Sequence, residues 1–159
     1  MPDEPSFCPE CGAPWPAGTT CQDYFSQLLA LEWQHSLPDV HHLLVLAYHL
    51  QHPGLYSPAG LEYSLGLLVG FLEVGLSPQA VRRLERGALD SGKRRFTITA
   101  RPGARGAYPR PVPWTMTAAD VVAAGVDVYY EQVRAWARSI LASLRGAGVL
   151  SPATGGEAS

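Results

Sequence analysis

The first 81 residues contain not one Lys or Arg, although eight Asp and Glu stand among them. The front half is thus purely acidic in formal charge, with no Lys or Arg of its own to pair with its carboxylates. Cysteine is scarce as well: there are three, an odd number, all within the first 21 residues. That count excludes a disulfide framework stapling the whole chain. Long apolar runs are missing too. The most apolar stretch, 61–76, is interrupted by Glu62 and Glu73, leaving 10 uncharged residues between them, where a bilayer needs ~20. No basic stretch leads into an apolar segment at the N-terminus. The expectation is a soluble cytoplasmic protein with no membrane partner.

Catalytic signatures are equally sparse. No His-x3-His pair, glycine-rich phosphate loop or serine nucleophile elbow occurs anywhere in the chain. What is present is apolar: 47% of residues against 16% charged, a balance that favours a packed globule over disorder. At 159 residues one core suffices, since folding at this size buries roughly 70% of the unfolded chain's surface. The reading is a single domain over 1–145 and a Ser-, Gly- and Ala-rich disordered tail over 146–159.

Helical patterns dominate. Phe25, Leu28 and Leu29, with Trp33 as a further candidate, recur at helical spacing over 22–35, and Pro38 stops the pattern. Asp39 is placed to cap a second helix over 40–51, apolar almost all the way round and therefore central. Ser57-Pro58 and Ser77-Pro78 each read as an N-cap followed by proline at the first helical position. They predict helices near 58–74 and 78–89. Gly66 and Gly70 in the former suggest a close helix approach. Residues 93–114 change character, with prolines at 102, 109, 111 and 113, and fit an extended segment or short hairpin. Thr117-x-x-Asp120 resembles a capping box that opens a last helical stretch to about Arg145, with Gly125 as a candidate break. Its stripe of Tyr129, Val133, Trp136, Ile140 and Leu144 reads as core, leaving Arg134, Arg138 and Arg145 for solvent. The fold class is mainly α, a small bundle of about five helices with an N-terminal zinc knuckle over 7–21.

That knuckle is Cys8-Pro9-Glu10-Cys11-Gly12, followed by Cys21. Cys-x2-Cys brings two sulfurs to one ion because the turn between them folds back on itself, and thiolate and imidazole donors suit tetrahedral Zn²⁺. A closed site wants a fourth ligand, and the histidines are His35, His41, His42, His49 and His52. If the first two helices form an antiparallel hairpin, Cys21 at the start of one lies beside the end of the other. His52 is there. His41 sits ~16 Å further along the helix, too far to share the ion. The predicted ligands of Zn²⁺ are Cys8, Cys11, Cys21 and His52, with His49 in reserve one turn away.

A second constellation is polar. His41 and Tyr48 share a face at helical spacing, and Glu32 is placed to meet His41 across the hairpin. Together with Asp120 these form a candidate polar site, for which a structural His-carboxylate bond is the plainer account. Residues 82–110 carry nine of the twelve basic residues and a net charge of +7. Arg82, Arg83, Arg86, Lys93, Arg94 and Arg95 are the candidate anion-binding residues, with Phe96 and Tyr108 available for stacking.

Several of these motifs occur together in one family. The Cys-Pro-x-Cys-Gly knuckle, Cys21 with the following Phe25, the run His41-x5-Ala47-Tyr48-x2-Gln51-His52-Pro53, and Trp114 before Thr117-x-x-Asp120-Val121 resemble a family of small uncharacterised bacterial proteins, a domain of unknown function. The likeness spans residues 8 to about 140. It implies that His41 and His52 matter more than the other histidines, and it implies no activity.

The function expected from the sequence is a zinc-stabilised helical interaction module that contacts a protein partner or a second copy of itself. A nucleic acid or other polyanion bound through 82–110 is the alternative. A metal-dependent enzyme, with water at one coordination position and Glu32 or Asp120 assisting, is the third reading.

Overall fold

The computed structural model of the chain describes residues 6–16, 18–83, 100 and 103–151. It starts with a two-stranded antiparallel hairpin. Strand β1 (Ser6–Phe7) pairs with β2 (Pro14–Trp15), with Ser6 opposite Trp15 and Phe7 opposite Pro14. The turn between them is closed by Cys8 N–H to Ala13 O and Gly12 N–H to Cys8 O, both 2.9 Å. Gly12 takes φ +80° there, a left-handed conformation that costs glycine nothing.

Helix α1 (Cys21–His35) starts on a cap in which the Asp23 carboxylate accepts the Thr20 N–H at 2.7 Å. Its buried face is Cys21, Tyr24 and Leu28. Trp33 is 87% exposed, so it is not part of the apolar stripe; five residues beyond Leu28 is about 140° round the helix. A 3-10 turn (Pro38–Val40) leads into α2 (His41–Leu50). Asp39 lies inside that turn and does not cap the helix; the capping position falls to Val40, whose side chain offers no acceptor. As expected of an all-round apolar helix, α2 is central. It buries Leu43, Leu44, Leu46, Ala47, Tyr48 and Leu50, and packs on α3 (Pro58–Val69) and α6 (Tyr129–Gly146).

The cap of α3 is Ser57, whose Oγ accepts the Gly60 N–H at 2.9 Å. The helix passes into a π-helical turn (Gly70–Val74) and stops at Gly75, φ +83°. The two glycines do not admit a second helix: Gly66 is exposed with open space around it, and Gly70 accommodates Leu76 of its own terminal turn. Helix α4 begins at Pro78, with Ser77 Oγ accepting the Ala80 N–H, and is described over 78–83.

Of the segment expected to be extended, 103–114 is described and runs as irregular chain over the bundle. It is held by Gly106 N–H to Tyr56 O (2.7 Å). A Cβ at Gly106 would stand 2.8 Å from the Pro53 carbonyl, so only glycine permits this approach. Residues 93–99, 101 and 102 lie outside the described residues.

Helix α5 (Ala118–Ala124) has the anticipated cap, Asp120 Oδ2 accepting the Thr117 N–H at 2.8 Å. Gly125, φ +86°, breaks the stretch, and a 3-10 turn (Val126–Val128) turns the chain into α6. The stripe Tyr129, Val133, Trp136, Ile140 and Leu144 is buried as a unit. Trp136 donates to Gln51 Oε1 at 3.1 Å, and Gln51 Nε2 donates to Met116 O at 2.6 Å. The fully enclosed Gln51 amide is thereby satisfied. Arg145 is only partly exposed and is not free there, for its guanidinium grips Glu73 with two hydrogen bonds. The tail expected to be disordered from 146 is ordered over 146–151, with Val149 and Leu150 packed on the core; 152–159 lie outside the described residues.

Candidate metal centre

The knuckle turn, the first residue of α1 and the residue that follows α2 converge on one point. The Sγ atoms of Cys8, Cys11 and Cys21 and a ring nitrogen of His52 all lie within 4.8 Å of one another, and all four residues are buried. Each is delivered by local structure. The turn held by Gly12 places Cys8 and Cys11 side by side, and the Cys11 N–H points at Cys8 Sγ (3.4 Å). Cys21 opens α1, where Thr20 and Asp23 set its orientation. His52 stands outside α2, with φ −126°, at the entry to a 3-10 turn (Pro53–Leu55).

The His52 ring is oriented from both sides. Its Nδ1 lies 2.6 Å from the Tyr48 carbonyl, so Nδ1 carries the proton and donates it. In the neutral ring Nε2 is then the acceptor, and it is buried and without a hydrogen-bond partner among the described residues. This is the tautomer a metal-bound imidazole adopts. An orphaned buried acceptor facing three sulfurs fits a cation of the soft, thiolate-accepting kind. Tyr48 packs on the His52 ring at 4.5 Å, and Phe25 stacks on Tyr48 at 4.2 Å.

Crowding the four groups together also couples their protons. The Cys11 and Cys21 thiols hold the Cys8 thiol far below its usual range, while Cys21 and Cys8 push the Cys11 thiol far above. Burial alone would lower His52, but the proximity of Cys21 and Cys8 outweighs it and pushes the ring up to about 10. These are the protons that metal binding would displace.

The chain belongs to a family of unknown function, DUF5946. Its family model matches residues 6–145, which takes in the knuckle, helices α1 to α5, α6 up to its last residue and the 103–114 segment. Neither a curated protein nor a solved structure matches the chain.

The remaining candidates are dispersed. His49 sets its Nδ1 2.8 Å from the Val45 carbonyl and lies edge-on to Phe25, outside the cluster. Glu32 and His41 do meet, Oε2 to Nδ1 at 2.7 Å, at the far end of α2. Tyr48 does not join them, because it faces the cysteine end. Asp120 is spent on the α5 cap. The candidate polar site is thus not one site. The Glu32–His41 pair instead gains Tyr129, whose hydroxyl donates to Glu32 Oε1 at 2.6 Å. Burial first, then that carboxylate, push this hydroxyl well above the usual tyrosine range. Nothing in the sequence marked Tyr129 as polar, because it stands in phase with the core stripe. Arg82 and Arg83 are exposed on α4; Arg86, Lys93, Arg94, Arg95 and Phe96 lie outside the described residues.

Two further residues of the knuckle were not legible in advance. Glu10, between the first two cysteines, accepts the Gly54 N–H on Oε2 (3.0 Å) and the Trp114 indole N–H on its backbone carbonyl (3.0 Å). Trp15 donates its indole N–H to Cys21 Sγ at 3.2 Å. Beside them Glu10, Pro53, Tyr108, Arg110 and Trp114 line a groove of about 330 Å³, into which none of the four clustered residues opens.

Proposed function

We propose that the cluster is a structural Zn²⁺ site and that the chain is a zinc-stapled helical interaction module. The observation that carries this is the buried, unpartnered Nε2 of His52 facing three thiol sulfurs. Three thiolates and one imidazole complete a tetrahedron, so no coordination position is left for substrate. Cys8 and Cys11 belong to the N-terminal hairpin, Cys21 to α1 and His52 to the turn after α2. One ion therefore fastens three parts of the chain. The metal supplies order, and the helical surface supplies contact with a protein partner or a second copy.

The test is metal quantification of the purified chain, with His52→Ala alongside. The reading expects one zinc per chain, reduced in the variant together with a lowered melting temperature. Absence of zinc, or a variant unchanged in both respects, overturns it. Measured turnover with the site fully loaded and no partner recovered would overturn the interaction role.

A further inference from the structure

Binding a divalent cation to three thiolates and a neutral imidazole leaves one net negative charge in a buried place. Charge of that kind needs compensation. The segment supplying all four ligands runs from Cys8 to His52, and no Lys or Arg occurs before Arg82. With no Lys or Arg in that segment, N–H dipoles aimed at the sulfurs are the compensation it offers at the site. The Cys11 backbone amide reaches Cys8 Sγ at 3.4 Å, and the Trp15 indole reaches Cys21 Sγ at 3.2 Å. The indole is the shorter of the two and the only one carried by a side chain. It is also held in place: Trp15 lies in β2 opposite Ser6, and the Tyr24 hydroxyl donates to the carbonyl of the preceding Pro14.

We propose that Trp15 is a positioning residue of the metal centre, whose indole N–H orients Cys21 Sγ and draws electron density from it, setting how tightly and how long the metal is held. This rests on the metal reading above. Outer-shell hydrogen bonds of this kind change metal affinity about ten- to a hundredfold when removed. Phenylalanine keeps a ring at the position and deletes the N–H.

The experiment loads the full chain with Co²⁺ and compares wild type, Trp15→Phe and Trp114→Phe. Losing an N–H donor raises the energy of the sulfur lone pairs. The sulfur-to-cobalt charge-transfer band of Trp15→Phe therefore moves to lower energy, and transfer of the metal to a chelator accelerates about tenfold or more. Trp114→Phe removes an indole that donates to the Glu10 carbonyl instead of a sulfur, and its band stays at the wild-type position. An unshifted band with wild-type release in Trp15→Phe overturns the proposal and leaves the metal reading standing. Wild type that takes up neither Co²⁺ nor Zn²⁺ overturns the metal reading itself. If Trp15→Phe does not fold, wild type loaded with ¹¹³Cd serves: the Trp15 indole proton shows scalar coupling to the metal through Cys21 Sγ, and its absence overturns the proposal.

Discussion

The carboxylate of Glu10 accepts the backbone N–H of Gly54 at 3.0 Å, joining the tip of the knuckle to the turn that follows His52. The contact closes a loop of chain at the same place as the proposed ion, and it does so without metal. Glu10→Ala removes a charge-assisted hydrogen bond at an exposed site, with an expected loss of about 1–2 kcal/mol. Denaturant unfolding of the zinc-loaded chain checks this; a loss within about 0.3 kcal/mol, the scatter of such comparisons, would deny the contact any role.

Removing the metal should cost far more. With the ion gone, three buried thiols and a buried imidazole keep only weak mutual contacts, and residues 6–16 bring little apolar surface of their own. Chelation is expected to lower the melting temperature and to release the hairpin before the helices, as faster amide exchange at Cys8 and Gly12 than at Leu44. Uniform exchange across the chain would show instead that knuckle and bundle unfold together.

At the other end of α2 the buried carboxylate of Glu32, 9% exposed, is shared between Tyr129 and His41, whose side chain is 54% exposed. The two partners differ in burial, so their deletions differ in cost. Tyr129→Phe leaves a buried carboxylate oxygen without its donor and should destabilise by about 1–3 kcal/mol. His41→Gln, at an exposed position, should cost less than about 1 kcal/mol. Equal costs in thermal or chemical unfolding would contradict this ranking.

The clasp between Arg145 and Glu73 gives a pH dependence of known sign. The Arg145 guanidinium holds the Glu73 carboxyl below its ordinary value of 4.5. A depressed carboxylate stabilises the fold above its unfolded pKa, and that contribution is lost as the pH falls through the folded pKa. The pair is solvent-exposed, so Glu73→Gln should cost at most about 1 kcal/mol at pH 7. The difference from wild type should shrink as the pH falls below 4.5 and through the lower folded value, and vanish once the carboxyl is protonated in both states; a difference that does not shrink on acidification would assign it to packing.

Core substitution tests the central placement of α2. Leu44 is fully buried, and Leu44→Ala should cost about 2–5 kcal/mol. Leu55→Ala, at an exposed side chain of the 53–55 turn, should cost about 0.5 kcal/mol.

Much of this architecture could be read along the chain because its signals are local. Ser57, Ser77 and Thr117 start helices by bonding N–H groups three residues away or receiving Asp120's carboxylate, and Gly125 ends one by adopting a φ that other residues resist. The cysteine spacing likewise acts over four residues. His52 was reachable by one further step, the reversal of direction between α1 and α2. Trp33 misled because helical spacing says which residues share a face but not how wide the buried face is. Tyr129 and Trp15 were hidden because an aromatic ring in phase with a core stripe, or in a short strand, looks the same whether or not its polar atom has work to do.

Sequence alone, then, determined most of the described helices, the Ser57, Ser77 and Thr117 caps, the Gly125 break, the acidic front half and the three thiols, since each depends on neighbours a few bonds away. Folding in three dimensions determined which polar atoms meet: Glu32 with Tyr129, Glu10 with Gly54 and Trp114, Trp15 with Cys21, and His52 Nε2 with no partner but sulfur. Those pairings join residues up to 104 positions apart, and a hydrogen bond exists only where packing brings donor and acceptor within ~3 Å in line.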